Sequence, residues 1–297
     1  MIVPFVLDFD DKMIEDLHIK ENFDFYQSKG VNQFKDIRKS IEDNYLGAFS
    51  DKEINGTRLQ NDWFPDLSDC TVDVFLSHSH GDIEKVEAFS GWLKEELSLC
   101  SFIDADVWMN IESLEKKINQ IANQPRKRNG ITVYDYNNSR LMFQHTNAML
   151  SVALQKMMDK AEIVIFLASS NSVKCYEKDK ITEITKITKT FSPWIYSELS
   201  CMKIIRRKKI WEYREEISLL EEQMIKKASV PISYIVDYDS MERISTDDLI
   251  SLQRRANELK KNEVNGKEVL NFLYQRKCPK IWKEYESAKN NKGLIGW

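Results

Sequence analysis

From about residue 71 onward, short apolar runs alternate along the chain with stretches in which apolar residues recur every three or four positions. The run Val72–Leu76 has the length and composition of a buried strand. The stretch that follows predicts a helix with one apolar face, because its large apolar residues are Val86, Phe89, Leu93 and Leu97. Strands that alternate with amphipathic helices are typical of an α/β fold, in which helices cover both faces of a parallel sheet.

Three further apolar runs predict strands of the same sheet, at Cys100–Asp104, Glu162–Ala168 and Ile232–Asp237. The run Glu162–Ala168 is typical of a strand that is buried on both faces. Two more helices are predicted over 111–121 and 147–160, and a strand is predicted over 131–134, behind the basic turn 125–130. These elements continue the alternation to about residue 239.

Three segments lie outside this alternation. Residues 1–70 are rich in aromatic residues and carry no recognisable chemical motif, so we expect a mainly helical extension. In the segment Ser172–Phe191, isoleucine-threonine pairs repeat every three residues, a period that fits neither a strand nor a helix. This period predicts a mobile insertion, which is either a lid or a passive surface loop. Residues 240–297 predict a helical extension, in which Ser245–Asp248 resembles a capping box.

The tract Ser192–Leu199 carries the strongest candidate for a functional residue. Ser192 suits the N-cap of a helix, and Pro193 suits the first helical position because it has no amide hydrogen to leave unpaired. Trp194 and Glu198 are four residues apart, so their side chains project from the same face of the predicted helix. The alternative is that Glu198 is a solvated surface residue beside a core tryptophan.

Composition and charge limit the classes of protein to which the chain can belong. The chain has 297 residues, of which 42% are hydrophobic and 30% charged, as expected for a globular protein of about two domains. The net charge of -4 provides no general attraction for nucleic acid or for an anionic membrane surface. No apolar run approaches the ~20 residues of a membrane span, and the first residues lack a secretory signal, so we expect a cytoplasmic protein. The five cysteines include no C-x-x-C pair, which argues against a disulfide framework or a zinc site.

The segment Asp73–Asp82 resembles the opening strand and turn of Toll/interleukin-1 receptor (TIR) domains, which carry a similar aromatic-Ser-His and Asp pattern. Later segments resemble further TIR elements in the same order. They are Phe102–Asp104 for the second strand, 163–170 for the fourth, Trp194–Leu199 for the W-x-x-x-E-L helix and Pro231–Asp237 for the fifth strand. The resemblance covers residues 73 to about 239 and is closest to bacterial TIR proteins. The segment 110–149 departs from it, because it is longer and more polar than in a minimal TIR domain.

This resemblance implies a flavodoxin-like TIR domain over 71–239, with a five-stranded parallel sheet. The segments 1–70 and 240–297 are then helical extensions on either side of it. Ligands bind to such sheets beside the carboxyl ends of the strands. Residues suited to a site follow the predicted strands there, namely Ser77, His78, Asp104, Trp108 and Ser169.

Catalytically active TIR domains cleave the bond between nicotinamide and ribose in NAD, and the resemblance assigns their catalytic glutamate to Glu198. NAD is therefore expected as a substrate, and no cofactor is expected. Nicotinamide leaves as a neutral ring because it is a pyridinium cation in NAD, so no general acid is needed. One carboxylate can then suffice, provided that it stabilises the positive charge that develops at C1′ of the ribose.

The resemblance also implies contacts between the substrate and the residues that surround the glutamate. The expected substrate-binding residues are Phe75, Ser77, His78, Asp104, Trp108, Ser169 and Trp194. For Phe75 and Trp194 a role in the core is the alternative. His78 and His80 lie two residues apart without companion ligands, so they are interpreted as exposed turn histidines, and no metal site is expected.

The expected function is that of a TIR NAD glycohydrolase or cyclase, which forms ADP-ribose or a cyclic or conjugated ADP-ribose signal in antiphage defence. By the same resemblance we expect TIR self-association, with the loop after Asp104 as a contact, and a downstream effector that senses the product. Two alternatives stay open. One is a non-catalytic adaptor that works through contacts between TIR domains, and the other is a nucleoside (deoxy)ribosyltransferase of similar fold.

Overall fold

The computed structural model describes most of the chain, and the account below is confined to the residues it describes. These are residues 3–33, 35, 72–104, 126–128, 131–180, 183–205, 207–210, 234–260 and 266–292.

Strands and helices alternate along much of the described chain. The strands are β1 (Val3–Asp8), β2 (Val74–Ser77), β3 (Ser101–Phe102), β4 (Arg126–Arg128), β5 (Ile131–Val133), β6 (Ile163–Ala168), β7 (Lys174–Lys180), β8 (Glu183–Thr190), β9 (Tyr234–Ile235) and β10 (Glu242–Ile244). The α-helices are α1 (Asp11–Asp16), α2 (Phe23–Asn32), α3 (Ile83–Leu97), α4 (Tyr136–Lys160), α5 (Pro193–Ile204), α6 (Thr246–Lys260), α7 (Gly266–Lys277) and α8 (Pro279–Lys292). Short 3₁₀ turns lie at Lys20–Asn22 and His80–Asp82.

Five strands form one parallel sheet in the order β10-β1-β6-β2-β3. The predicted α/β class is confirmed, and a five-stranded parallel sheet of this kind is consistent with a flavodoxin-like fold. β6 lies at the centre, where β1 pairs with one of its edges and β2 with the other. The first five residues of β6, Ile163 to Leu167, are all buried, as the sequence predicted for a strand that is covered on both faces.

Side chains alternate between two apolar cores, one on each face of the sheet. In β6, Ile163, Ile165 and Leu167 face the core that also contains residues of α1, α3, α6 and α7. The residues between them, Val164 and Phe166, face the second core, which is covered by α4 and α5. The period of two along each strand therefore distributes the apolar residues to both faces, and helices bury each face.

The N-terminal segment is more than a helical extension, because its first described residues form a strand within the main sheet, followed by α1 and α2. β1 runs parallel to β6 along its whole length, and Phe5 and Val6 are completely or almost completely buried. Pro4 is tolerated because β10 pairs with β1 only from Phe5 onward, so Pro4 has a strand neighbour on one side alone. The sheet thus extends beyond the predicted boundaries of 71–239, since β10 also lies outside them.

The segment between Ser172 and Phe191 contains a β-hairpin, so the interpretation that its period fits no strand is wrong, whereas its mobility stays a prediction. β7 pairs with β8 in antiparallel register from Lys174–Lys189 to Lys180–Glu183. β9 adds a third strand at the base of this hairpin, so the predicted place of the segment around 234 is also wrong. The segment around 234 was expected to be the fifth strand of the parallel sheet, but it pairs with β8 instead.

The predicted helix after Gly81 is confirmed as α3, and the predicted helix over 147–160 is the second half of the longer α4. The predicted strand over 131–134 is β5, but it pairs with β4 in a separate hairpin and does not join the main sheet. The capping box before α6 is confirmed, because Ser245 and Asp248 each accept a hydrogen bond from the backbone N–H of the other. The helix predicted over 111–121 lies outside the described residues.

Candidate active site

The candidate site lies at the carboxyl edge of the parallel sheet, between the neighbouring strands β2 and β6. The chain leaves β2 through α3 towards β3, whereas after β6 it passes through α5 to reach β10 on the opposite side. Connections that diverge from adjacent parallel strands leave a crevice between them, and ligands bind to α/β sheets in such crevices. Ser77 ends β2 at this edge, and Ser169 follows β6.

Glu198 lies in the second turn of α5 and is buried, with 5% of its surface exposed. The helix begins as the sequence predicted. The Ser192 hydroxyl group accepts a hydrogen bond from the backbone N–H of Ile195 at 3.2 Å, and Pro193 occupies the first helical position. The alternative of a solvated surface glutamate is therefore wrong, because Glu198 points into the protein.

Ser77 connects β2 with the glutamate on α5. Its hydroxyl group donates a hydrogen bond of 2.5 Å to Oε2 of Glu198, and Ser77 has no exposed surface. Hydrogen bonds from a hydroxyl group to a carboxylate are short and stronger than those between neutral groups. The pair joins residues 121 positions apart in the chain, so it fixes α5 against the end of β2.

The environment of Glu198 disfavours its charged form. Burial, and after it the negative charge of Asp104, raise the pKa of the Glu198 carboxyl group from its ordinary value of 4.5 to about 8. The hydrogen bond from Ser77 acts in the opposite direction, because it stabilises the carboxylate. One turn further along α5, burial and then the charge of Glu198 raise the pKa of the Cys201 thiol to about 12. Perturbed groups of this kind in a crevice are candidates for functional residues.

Asp104 and His78 form a second part of the site. Asp104 follows β3, and about a third of its side chain is exposed. The Nδ1 atom of His78 lies 3.9 Å from Oδ1 of Asp104 and 3.0 Å from the backbone oxygen of Leu76. The His78 side chain is only 3% exposed, so the interpretation of an exposed turn histidine is wrong for His78. It holds for His80, which is exposed.

Ser169 belongs to a hydrogen-bonded turn that follows β6. Its hydroxyl group donates to Asp82, and the side-chain amide of Asn171 donates to the other oxygen of the same carboxylate at 2.7 Å. Asp82 immediately precedes α3, but its side chain makes no capping hydrogen bond because both of its oxygens bind this turn. Ser169 thus connects the turn after β6 to the start of α3, and its proton is directed to Asp82 rather than to the crevice.

The aromatic residues predicted for the site lie in different environments. Phe75 has no exposed surface, and its ring stacks against Phe102 with 5.6 Å between the centroids. Its ring is therefore a core element, which corrects the expected contact with a substrate. Trp194 is partly buried and packs against the core beneath α5, on the turn that precedes Glu198. Trp108 lies outside the described residues.

Thr190, which the sequence analysis did not assign to the site, joins the hairpin to the helix that carries Glu198. Its hydroxyl group donates to the backbone oxygen of Ser172 at 2.9 Å and accepts from the backbone N–H of Ser192 at 3.2 Å. Ser172 is also hydrogen-bonded to Ser169, so the turn after β6, the hairpin and the N-cap of α5 are connected. The density of Ser, Thr and Asn on either side of the hairpin was the signal in the sequence, since these side chains bind nearby backbone groups.

The structure thus brings Ser77 to Glu198, and it brings His78 to Asp104 nearby, whereas Phe75 and Ser169 face other parts of the protein. Comparisons of the chain with protein-family models, with curated proteins and with solved structures found no match. Among the described residues, no three His, Cys, Asp or Glu side chains converge in a way that could hold a metal ion. None of the described helices combines the length and the apolarity needed to cross a bilayer.

Proposed function

We propose that the chain is an NAD glycohydrolase or cyclase of the TIR type, with Glu198 as its catalytic residue. The observation that carries this proposal is the buried Glu198 carboxyl group, which is hydrogen-bonded to Ser77 at the carboxyl edge of a parallel sheet. The glutamate is neither turned into bulk water nor paired with a cation among the described residues, so it is suited to meet positive charge on a ligand.

The chemistry that this carboxylate supports is cleavage of a glycosidic bond to a cationic leaving group. The bond between C1′ of the ribose and the ring nitrogen breaks, and its electron pair moves to the nitrogen, which gives neutral nicotinamide. The positive charge is then left on the ribose, and a carboxylate close to C1′ lowers the energy of this oxocarbenium-like transition state. A water molecule forms the new bond to C1′ and loses a proton to Glu198 or to solvent.

Burial of Glu198 makes a cationic substrate a better partner than a neutral one. A carboxylate in a desolvated site is destabilised, and Asp104 adds to this effect. A pyridinium ring restores the stability of the charged carboxylate because opposite charges attract strongly where water is excluded. Binding of NAD is therefore expected to lower the pKa of Glu198 and to release a proton.

The same bond cleavage leads to different products. Water gives ADP-ribose, whereas a nucleophile from the same molecule or from an acceptor gives a cyclic or conjugated ADP-ribose. We propose that the product acts as a signal in bacterial antiphage defence, sensed by a downstream effector, and that self-association of the chain supports activity. The loop after Asp104, which follows the described end of β3, is the proposed contact.

One observation favours a second candidate, a nucleoside (deoxy)ribosyltransferase. Two carboxyl groups, Glu198 and Asp104, are close enough for the charge of one to raise the pKa of the other. Paired carboxyl groups are the usual arrangement for acid-base catalysis at a glycosidic bond. Such an enzyme would release a neutral base from a nucleoside, and Asp104 would then have a catalytic role.

The test is incubation of the purified chain with NAD and, separately, with deoxynucleosides, followed by chromatography of nicotinamide, free base and ADP-ribose products. The reaction is run at micromolar protein with and without a crowding agent, because assembly is proposed to support activity. We expect nicotinamide from NAD and no free base from deoxynucleosides. Free base would favour the transferase, and no turnover of either substrate under crowding would favour the non-catalytic adaptor.

A further inference from the structure

Ser77 is placed to act on Glu198 rather than on a substrate. It is the last residue of β2, has no exposed surface, and directs its hydroxyl proton to Oε2 of Glu198. A serine that binds a substrate needs an accessible hydroxyl group, whereas this one is enclosed between the sheet and α5. The resemblance to TIR domains led us to expect a contact between Ser77 and the substrate, and the geometry points to a different role.

We infer that Ser77 is a positioning residue, which holds Oε2 of Glu198 and leaves Oε1 as the carboxylate oxygen that meets the substrate. The identity of that substrate rests on the proposed function, but the contact between the two side chains does not. Within the described part of the chain, Ser77 is the hydrogen-bond donor to this carboxylate, and no described residue donates to Oε1. A glutamate held by one oxygen on a rigid helix has few rotamers left, which is the condition for precise placement at C1′.

The hydrogen bond from Ser77 also affects the ionisation of Glu198, because the other groups around this carboxyl group disfavour its charged form. Burial and then Asp104, which lies two residues after β3, disfavour the carboxylate, and Ser77 is the neighbour that favours it. The other titratable groups nearby are Cys201 on α5, and His78, which lies beside Asp104. Removal of the Ser77 hydroxyl group should therefore shift ionisation of Glu198 to a higher pH.

The experiment compares Ser77→Ala with Ser90→Ala in the purified full chain. Ser90 is a matched control, because it is equally buried and its hydroxyl group pairs with that of Ser101 at 2.7 Å, on α3 and away from α5. In the pH profile of kcat/KM for NAD, activity should rise as Glu198 ionises. For Ser77→Ala we expect this acid limb to lie about one pH unit higher than in wild type. At pH values below the limb kcat/KM should then be about tenfold lower than in wild type, and above the limb it should reach the wild-type value. For Ser90→Ala the limb should stay in place.

Ser77→Cys provides a second variant, since a thiol group is a weak donor of similar shape. It should shift the limb by a smaller amount than Ser77→Ala, and it replaces that variant in the comparison if Ser77→Ala does not fold. A loss of kcat/KM by the same factor at every pH would overturn the inference, because a substrate ligand or a purely structural residue would behave in that way.

A readout without NAD separates this inference from the proposed function. The loss of unfolding free energy caused by Ser77→Ala should grow as the pH rises through the ionisation of Glu198, and this growth should vanish in the Glu198→Gln background. If no variant turns over NAD but the unfolding cycle gives this result, the proposed substrate is wrong and the positioning role stands. If the growth persists without Glu198, or is absent in both backgrounds, the positioning role is wrong.

Discussion

Glu198 is a carboxylic acid in a place where water cannot solvate its charge. Its pKa of about 8 is the balance of burial and the neighbouring Asp104 against the hydrogen bond from Ser77. Ionisation of Glu198 therefore lowers the stability of the folded protein. Buried ionisable groups of this kind are enriched at functional sites, which supports the proposed catalytic role of Glu198 over a role in the core.

The first prediction concerns how stability depends on pH. Between pH 4.5, the ordinary pKa of a glutamate, and pH 8, the folded chain holds a proton on Glu198 that the unfolded chain has lost. The contribution of this group to stability is thus full below pH 4.5 and is lost as the pH rises through about 8. Glu198→Gln removes the effect, so its unfolding free energy should rise relative to wild type by roughly 1–3 kcal/mol over this window.

The measurement is urea unfolding of both proteins at a series of pH values. Glu162→Gln is the control, since Glu162 is also buried but lies before β6 at the opposite edge of the sheet. Parallel stability curves for wild type and Glu198→Gln would contradict the raised pKa of this glutamate.

Part of the residue-scale picture could be predicted from the sequence. The N-cap at Ser192 and the functional candidate Glu198 follow from local rules of helix formation and from spacing, which the sequence contains directly. The burial of His78 and the role of Ser77 depend on contacts with segments far along the chain. No local pattern encodes such contacts. Ser77 and His78 could therefore be predicted as site residues, but what they contact could not.

At the scale of elements, the position of α5 decides where Glu198 lies. Its N-terminus is fixed by the cap at Ser192 and by Thr190, which joins it to the turn after β6. Its second turn is fixed by Ser77. The helix is therefore held at two points by polar contacts, in addition to the apolar packing of Ile195 and Leu199 in the core beneath it.

The second prediction is that weakening the cap of α5 lowers activity as well as stability. Ser192→Ala removes the acceptor for the backbone N–H of Ile195 and should cost about 1 kcal/mol of unfolding free energy. Because fraying of the first turn displaces Glu198, kcat/KM should fall by several-fold to ~100-fold. The control is Asp135→Ala, which removes the corresponding N-cap acceptor of α4. Equal losses of activity in the two variants would argue against a special role of this cap.

The hairpin shows why some elements could not be predicted. Its isoleucine-threonine pairs repeat every three residues, a spacing that matches neither the period of two of a strand nor the period of a helix. The high β propensity of isoleucine and threonine was the better guide.

At the scale of the whole molecule, the parallel sheet is built from both ends of the chain. β1 near the N-terminus and β10 beyond residue 239 complete the sheet that β2, β3 and β6 begin. The α/β class could be predicted from alternation, because β2, β3 and β6 coincide with local apolar runs, whereas β1 and β10 were not recognised as strands. The order of the strands could not be predicted, because β1 inserts beside β6 from more than 150 residues away.

The third prediction follows from this arrangement. A fragment that comprises 71–239 lacks β1 and β10, so both the edge of β6 and the core on that face are exposed. We expect it to show no cooperative thermal unfolding, in contrast to the full chain. The matched point variants are Phe5→Ala in β1, which should cost ~3–5 kcal/mol because Phe5 is completely buried, and Phe25→Ala, which should cost less than ~1 kcal/mol because Phe25 is half exposed. A stable, cooperative fragment would contradict this prediction and show that the segment 71–239 folds independently of β1.

The central claim is that Glu198 cleaves the glycosidic bond of NAD, and one assay tests it most directly. Wild type, Glu198→Gln and the control Glu162→Gln are incubated with NAD, and released nicotinamide is measured by chromatography. Wild type and Glu162→Gln should release nicotinamide at similar rates, because Glu162 is hydrogen-bonded to Tyr274 away from the site. Glu198→Gln should be slower by at least ~100-fold while it keeps the wild-type fold, since it lacks the charge that stabilises the transition state. Release of nicotinamide by Glu198→Gln at the wild-type rate would contradict the account.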